Sequence, residues 1–125
     1  MAKRILVVED DDKSRRLLVD VLGYHGFDVA AFANGESALE DARVTAPQAA
    51  LLDIQLPGMS GYDILAALRV AAAGEYLPIL AVTASAMDYD RRRILDAGFD
   101  AYVAKPVNIR ELLATLNALL SKDAQ

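Results

Sequence analysis

Short runs of apolar residues alternate with longer amphipathic segments along the chain. The short runs predict five strands, which cover residues 5–8, 27–32, 49–54, 77–83 and 99–104. Between them, apolar residues recur at spacings of three and four positions. This spacing predicts five helices, which cover residues 13–24, 34–46, 61–73, 86–97 and 107–120. Residues that stop helices follow four of them: Gly26, Pro47, Gly74 and Gly98.

The predicted strands lack the apolar–polar alternation that a sheet with one solvated face shows. Continuous apolar strands are typical of sheets that helices cover on both faces. Strands that alternate with helices predict an open parallel α/β sheet with right-handed crossovers. The length of 125 residues suits one domain, expected at residues 1–121, with a frayed tail at 122–125.

Composition narrows the classes of function. Apolar residues make up 54% of the chain, which is enough for a sizeable core, and the net charge of −5 disfavours direct binding to nucleic acid or anionic lipid. The chain has no cysteine, which excludes disulfides, thiolate metal sites and a cysteine nucleophile. No apolar run is long enough for a signal-peptide core or a membrane span. We therefore expect a cytoplasmic protein without a membrane partner.

Reactive side chains follow four of the five predicted strands. Four acids, residues 9–12, follow the first strand, and Asp53 ends the third. Thr83 ends the fourth strand, and Lys105 follows the fifth. Ligands of open parallel sheets bind beyond the carboxyl ends of the strands, where the strand order reverses. These side chains share one crevice if the first strand is central.

Several carboxylates in one crevice repel each other, and a hard divalent cation relieves that repulsion. Mg²⁺ suits such a site because it takes one or two carboxylates and shares a phosphate; Mn²⁺ is the alternative ion. Asp10 and Asp53 are the natural direct ligands, with Glu9 reaching through water. Lys105 offers a point charge, and Thr83 a hydroxyl, to phosphoryl oxygens. Asp53 is then placed to attack phosphorus, a reaction that needs mainly positioning and charge neutralisation.

Four segments carry a family resemblance. Residues 5–10 (ILVVED), 52–61 (LDIQLPGMSG), 81–84 (AVTA) and 102–106 (YVAKP) resemble, in order and spacing, the four signatures of two-component response-regulator receiver domains. The resemblance covers almost the whole chain. Residues 53–57 and 83–87 are similar to those of single-domain cell-cycle regulators and of receivers attached to hybrid kinases.

The resemblance implies a flavodoxin-like, doubly wound, five-stranded parallel sheet of order 2-1-3-4-5 with five helices. It implies that Asp53 accepts a phosphoryl group from a histidine kinase or a histidine phosphotransfer protein. Glu9 and Asp10 would hold Mg²⁺, with the backbone carbonyl of Gln55 as a further ligand. Lys105 would contact the phosphoryl group, and the Lys105–Pro106 bond would be cis. Beyond Mg²⁺-dependent self-phosphorylation and self-dephosphorylation, no enzymatic activity is expected.

The resemblance also implies an output by protein contact. Thr83 and Tyr102 would switch conformation on phosphorylation. The surface that changes would be that of the fourth helix, fifth strand and fifth helix, including Arg91, Arg92 and Ala104. A downstream protein, or a second copy of this chain as a homodimer, would read it.

Structural interpretations stand beside these roles. Asp11 and Asp12 suit a helix N-terminus, with Asp12 as the expected N-cap. Tyr102 also fits a core aromatic, and His25 suits a helix C-terminus better than a phosphorelay. The three arginines at 91–93 fit a solvated helix face. Three glycines are expected to occupy turns or helix caps: Gly58, Gly61 and Gly98.

Three other functions remain open from the sequence. A flavin-binding electron carrier of the same fold would need a hydroxyl- and glycine-rich phosphate loop where residues 9–12 are acidic. A phosphatase similar to haloacid dehalogenases would use Asp10 as its nucleophile, although such enzymes generally have a longer chain. A receiver-like docking domain that is never phosphorylated usually has an eroded site, whereas this one is complete.

Overall fold

The structure is a computed structural model that describes residues 2–84 and 88–122, with only the backbone of residues 88 and 89. Its strands are β1 (Arg4–Val8), β2 (Asp28–Phe32), β3 (Ala49–Asp53), β4 (Ile79–Thr83) and β5 (Ala101–Ala104). Its helices are α1 (Asp12–Tyr24), α2 (Gly35–Val44), α3 (Gly61–Ala72), α4 (Asp88–Ala97) and α5 (Ile109–Lys122). Strands and helices alternate along the chain, as the sequence predicts.

All strand pairs are parallel, and the strand order is β2-β1-β3-β4-β5. This confirms the doubly wound, flavodoxin-like fold. Helices α1 and α5 pack on one face of the sheet and α2, α3 and α4 on the other, which gives two separate apolar cores. Strands β1, β3 and β4 are buried almost completely, which explains why they lack alternation. None of the helices in the described part of the chain is long and apolar enough to span a membrane.

The residue that caps the amino end of α1 differs from the one predicted from the sequence. Asp11, and not Asp12, caps the helix: its backbone is extended, and its carboxylate accepts a hydrogen bond from the Ser14 N–H at 2.9 Å. Asp12 is the first helical residue and forms an ion pair with Arg15 at 2.6 Å. An N-cap residue must have an extended backbone, and its side chain must reach an unsatisfied N–H in the first turn of the helix. In a run of four acids, the path of the backbone decides which acid meets both conditions.

The predicted boundaries of several elements shift by one or two residues. The predicted end at His25 is confirmed, since its backbone N–H caps the carboxyl end of α1. Strands β4 and β5 begin two residues later than predicted, because the buried Leu77 and Phe99 pack in the core without joining the strand ladder. Helix α5 includes Lys122, which the prediction assigned to the tail. Residues 123–125 and the predicted start of α4 at 86 lie outside the described residues.

Arg69 of α3 ties the amino ends of β4 and β5 together. Its guanidinium donates to the carbonyl oxygens of Leu77 and Gly98 and pairs with the Asp100 carboxylate at 2.8 Å. The same carboxylate oxygen accepts from the Ile79 N–H at 2.8 Å. This network sets where the two strands begin, and therefore which residues their carboxyl ends present.

Candidate functional site

The polar residues that are buried cluster at one edge of the sheet. In the described part of the chain, the buried polar or charged residues are Glu9, Asp53 and Thr83, with exposed fractions of 1%, 5% and 3%. They end or follow the adjacent strands β1, β3 and β4. A buried charge is costly unless it is paired or binds a metal, so this cluster marks a functional site rather than a packing solution.

Lys105 holds two of the carboxylates together. Its ammonium nitrogen lies 2.7 Å from Glu9 Oε1 and 3.0 Å from Asp53 Oδ2. The backbone N–H of Lys105 donates to the carbonyl oxygen of Thr83 at 2.7 Å, which fixes the residue beside the end of β4. The bond from Lys105 to Pro106 is cis, as the resemblance implies. The residue after β5 therefore reaches across β4 to the ends of β3 and β1.

Burial and the neighbouring charges both shift the pKa values of Glu9 and Lys105. Burial raises the pKa of Glu9 above the ordinary 4.5, and the neighbouring Asp53 raises it further against the opposing effect of Lys105. Burial alone would lower the pKa of Lys105, but the hydrogen bonds and charges of Glu9 and Asp53 outweigh it and raise that pKa. Lys105 therefore stays cationic at neutral pH, while the Glu9 carboxylate is held there at a cost.

The donor set fits a hard divalent cation. Glu9, Asp10 and Asp53 each offer a carboxylate oxygen, and these oxygens lie within 4.8 Å of one another. An octahedral Mg²⁺ with ligands at about 2.1 Å holds its oxygens roughly 3 to 4 Å apart, so small side-chain movements suffice. Among the described residues, Asp10 makes no hydrogen bond or ion pair, which leaves its carboxylate available. The residues present therefore suit the Mg²⁺ that the resemblance implies.

The turn after β3 orients Asp53. The backbone N–H of Gln55 donates to Asp53 Oδ1 at 3.0 Å, while Oδ2 faces Lys105. The carboxylate is thus held at both oxygens by groups that come from different elements. The Gln55 side chain is exposed, so the contribution of this residue to the turn comes from its backbone.

Gly61 has a role that differs from the predicted turn glycine. It is the first residue of α3, after the N-cap Ser60. A Cβ atom at this position would lie 2.6 Å from the carbonyl oxygen of Asp53 and 2.8 Å from the Cα of Ile54. Glycine is therefore required because α3 begins against the backbone of Asp53. The positive φ angles of 74° at Gly58 and 116° at Gly98 do confirm those two as turn and cap glycines.

Thr83 and Tyr102 lie on the same face of the sheet. In the pairing of β4 with β5, Ala81 stands opposite Tyr102 and Thr83 opposite Ala104. Since side chains two residues apart share a face, Thr83 and Tyr102 both point to the side that α4 covers. Tyr102 is half-buried and does not enter the acidic crevice, so it lies beside the site rather than in it.

Arg15 supports the site, a role that its position in the sequence does not indicate. One nitrogen of its guanidinium donates to the backbone carbonyl of Glu9 at 2.9 Å, and the other pairs with Asp12. The Glu9 Oε2 atom accepts from the Asp11 N–H at 3.2 Å. The spacing of Asp12 and Arg15 indicates a helix ion pair but not the reach of Arg15 back to β1.

Comparison with known proteins agrees with this fold and site. The family described as "Response regulator receiver domain" matches residues 5–117, so the chain belongs to this family. It is 34% identical over 120 residues to the polar-differentiation response regulator DivK of Brucella anthropi, covering 96% of this chain and 98% of that protein. The protein is thus a receiver domain of the two-component response regulators.

Solved structures give the same result. A putative response regulator from Chloroflexus aurantiacus is 32% identical, covers 97% of this chain and 99% of its own, and superposes with a TM-score of 0.90. The receiver domain of the sensor histidine kinase PA1611 from Pseudomonas aeruginosa is also 32% identical, with the same coverage and a TM-score of 0.86. That structure has a magnesium ion coordinated in its active-site cleft.

We predict that Glu9→Gln changes how stability depends on pH. Because the pKa of Glu9 is raised, its contribution to folding is full below pH 4.5 and is lost as pH rises through the raised value. Without Mg²⁺, the variant should therefore gain stability relative to the parent chain as pH rises from 4.5 to 7. Urea unfolding across this range measures the difference. Glu40→Gln, at an exposed position of α2, is the control, and an equal change there would contradict the prediction.

We predict that Gly61→Ala destabilises the fold and misplaces Asp53. The added methyl group must displace backbone, at a cost of about 1–3 kcal/mol, which exceeds the gain of up to about 1 kcal/mol from alanine's helix propensity. Gly23→Ala is the matched control, because Gly23 lies in α1 with nothing within 4 Å of its added Cβ atom. It should raise the free energy of unfolding. Chemical denaturation of both variants tests this, and a Gly61→Ala protein as stable as Gly23→Ala would refute it.

Proposed function

We propose that this receiver domain accepts a phosphoryl group on Asp53 from a histidine kinase or a histidine phosphotransfer protein. The observation that carries the proposal is the contact of the Lys105 ammonium with both Asp53 and Glu9, in a buried site at the carboxyl ends of β1 and β3. The family membership and the magnesium ion in the PA1611 receiver support it. A cytoplasmic location belongs to the same proposal.

In the proposed reaction, a carboxylate oxygen of Asp53 attacks the phosphorus of a phosphohistidine. An O–P bond forms, the P–N bond breaks, and the histidine nitrogen leaves with the electron pair. Lys105 neutralises charge on the phosphoryl oxygens, and the Thr83 hydroxyl donates to another of them. Self-phosphorylation from a small acyl phosphate follows the same path, with a carboxylate as leaving group. Hydrolysis of the phospho-aspartate returns the domain to its initial state.

Mg²⁺ is the proposed cofactor, with Mn²⁺ as the alternative. When bound, it would neutralise charge on the phosphoryl oxygens. Asp10 and Asp53 would be direct ligands, Glu9 would act through water, and the backbone carbonyl of Gln55 would complete the protein's contribution. Glu9 Oε1 is buried with the Lys105 ammonium as its polar neighbour, which suits an acceptor for a metal-bound water.

The surface beside the site suits a protein donor. A cleft of about 150 Å³ lies between α1 and the segment after β5, and Leu17, Pro106 and Val107 contribute its apolar part. Leu17 is 48% exposed, so part of this apolar surface is open to a partner. Glu9 and Lys105 border the same cleft. A donor protein that covers these residues would bring its phosphohistidine to Asp53 and exclude water.

The other functions fit the geometry less well. A nucleophilic Asp10 would be exposed and would lack the Lys105 contact that Asp53 has. A flavin phosphate would meet the acids of the β1–α1 loop. A docking domain without phosphorylation would not need two buried carboxylates that share a partly exposed lysine, since an apolar core of equal volume is commonly as stable.

The proposed output is a two-position switch. The phosphoryl group adds nearly two negative charges, and Thr83 moves toward it. Tyr102, on the same face of the sheet, then changes rotamer, and the surface of α4, β5 and α5 changes with it. A downstream protein or a second copy of this chain reads that surface. The net charge of −5 supports a protein partner over nucleic acid.

We predict that Asp53→Asn reduces labelling by a small acyl phosphate to background, because the amide cannot act as the nucleophile. Asp10→Asn should keep labelling but raise the Mg²⁺ concentration needed for half-maximal labelling by about tenfold or more. Asp20→Asn, an exposed change on α1, should behave as the parent chain. Intact mass measured across a Mg²⁺ series provides the readout. Labelled Asp53→Asn together with unlabelled Asp10→Asn would establish Asp10 as the nucleophile instead.

We predict that beryllofluoride with Mg²⁺ shifts amide resonances well beyond the site. Residues 86–106 should respond, because the switch links Thr83 to Tyr102 and α4; of these, 86 and 87 lie outside the described residues. Amide NMR of the titrated protein measures the response, with Mg²⁺ alone and Asp53→Asn as controls. Shifts confined to the neighbours of Asp53 would exclude the switch while leaving the phosphorylation proposal intact.

A further inference from the structure

The described side chains of helix α4, at residues 90–97, are mostly exposed. Of the side chains described at residues 90–97, Ile94 is the buried one, with an exposed fraction of 1%. The three consecutive residues before it are exposed arginines: Arg91, Arg92 and Arg93. Few buried contacts among residues 90–97 mean a low cost of local displacement there, so the remaining contacts of these residues matter for the position of the helix.

Two of these arginines lie over tyrosine rings on either side of the helix. The guanidinium carbon of Arg91 is 5.3 Å from the centre of the Tyr102 ring on β5. That of Arg93 is 5.2 Å from the centre of the Tyr62 ring on α3. Both distances are within the range of cation–π attraction. The two contacts have the same chemistry and nearly the same geometry.

The two rings differ in what else holds them. Tyr62 also packs edge-to-face against the buried Phe99, with ring centres 5.8 Å apart and planes at 74°, so its position is fixed from a second side. Tyr102 is half-buried at the edge of the core formed with Ala81 and Ile94. Its ring lies between this core and the guanidinium of Arg91. A change of Tyr102 rotamer would therefore disturb the contact with Arg91.

We propose that Arg91 is a positioning residue that holds Tyr102 in the rotamer of the unphosphorylated domain and so opposes the switch. The inference rests on the proposed function, since it assigns Arg91 a part in that same switch. A cation–π contact at a partly exposed site changes a rotamer equilibrium by about two- to fivefold. Arg91 thereby sets the threshold that phosphorylation must exceed, and it links the position of α4 to the tyrosine.

The test uses fluorotyrosine in place of tyrosine and follows ¹⁹F NMR of the whole chain. The Tyr102 and Tyr62 resonances are assigned with Tyr102→Phe and Tyr62→Phe. Spectra of the parent chain, Arg91→Gln and Arg93→Gln are recorded before and after addition of beryllofluoride with Mg²⁺. Arg93→Gln is the matched control, because it removes the same charge and the same type of contact from the same helix.

In Arg91→Gln without beryllofluoride, the Tyr102 resonance should move toward its beryllofluoride-bound position, which reports about a two- to fivefold change in the rotamer equilibrium. The beryllofluoride midpoint should fall by up to the same factor, because more of the protein already has the competent rotamer. Arg93→Gln should move the Tyr62 resonance and leave that of Tyr102 and the midpoint unchanged.

Two results would overturn the role of Arg91. One is a Tyr102 resonance in Arg91→Gln that stays at the parent position while beryllofluoride still moves it. The other is an equal movement in Arg93→Gln, which would show a general loosening of α4 or a charge effect. A Tyr102 resonance that beryllofluoride does not move in the parent chain would instead refute the switch in the proposed function.

Discussion

The ammonium group of Lys105 compensates the carboxylates of Glu9 and Asp53, and the geometry of the site depends on that contact. Both acids are buried, so their mutual repulsion is weakly screened, and each would be costly without a cation. Lys105 reaches them because β5 runs parallel to β4 and its last residue, Ala104, pairs with Thr83 at the end of β4, so that Lys105 follows at the same edge of the sheet. The order of the strands therefore decides whether the buried carboxylates have a compensating cation.

The same constraint supports the proposed response of the site to a phosphoryl group. Lys105 is already shared between two carboxylates, and its raised pKa keeps it charged. A phosphoryl group on Asp53 would compete for this cation and add negative charge where Glu9 is already held at a cost. We therefore expect the site to be sensitive to added anions, because one ammonium group already compensates two carboxylates. Such a change would spread when a hydrogen-bonding group exchanges one partner for another.

The path from the site to the surface runs along one face of the sheet. Thr83 and Tyr102 share that face, where the described side chains of α4 contribute one buried residue, Ile94, and two arginine–tyrosine contacts. Helix α5, on the opposite face, is more firmly attached, since it buries four leucines there. In the proposed switch, α4 is therefore the helix that is displaced more easily than α5. The proposed location of movement follows from how apolar area is distributed between these two helices.

Support for the site comes from residues that carry no chemistry of their own. Gly61 lets α3 begin against the backbone of Asp53, Arg15 holds the loop after β1, and Arg69 sets the beginnings of β4 and β5. Each acts through a backbone atom of a residue distant in the sequence or in another element. Side-chain patterns cannot reveal such contacts, because the partner is a carbonyl oxygen that every residue has.

The sequence by itself determined the class of fold and the identity of the acids, the lysine and the threonine at the strand ends. It could do so because strands buried on both faces are continuously apolar, and because side chains at the carboxyl ends of parallel strands must meet at one edge. Only the tertiary structure decided that Asp11 rather than Asp12 caps α1, that Gly61 is needed for close approach, and that Arg91 lies over Tyr102 while Arg93 lies over Tyr62. In each case several neighbouring residues of the same chemistry were available. The path of the backbone and the packing of one element on another select among them, and neither is encoded in the local sequence.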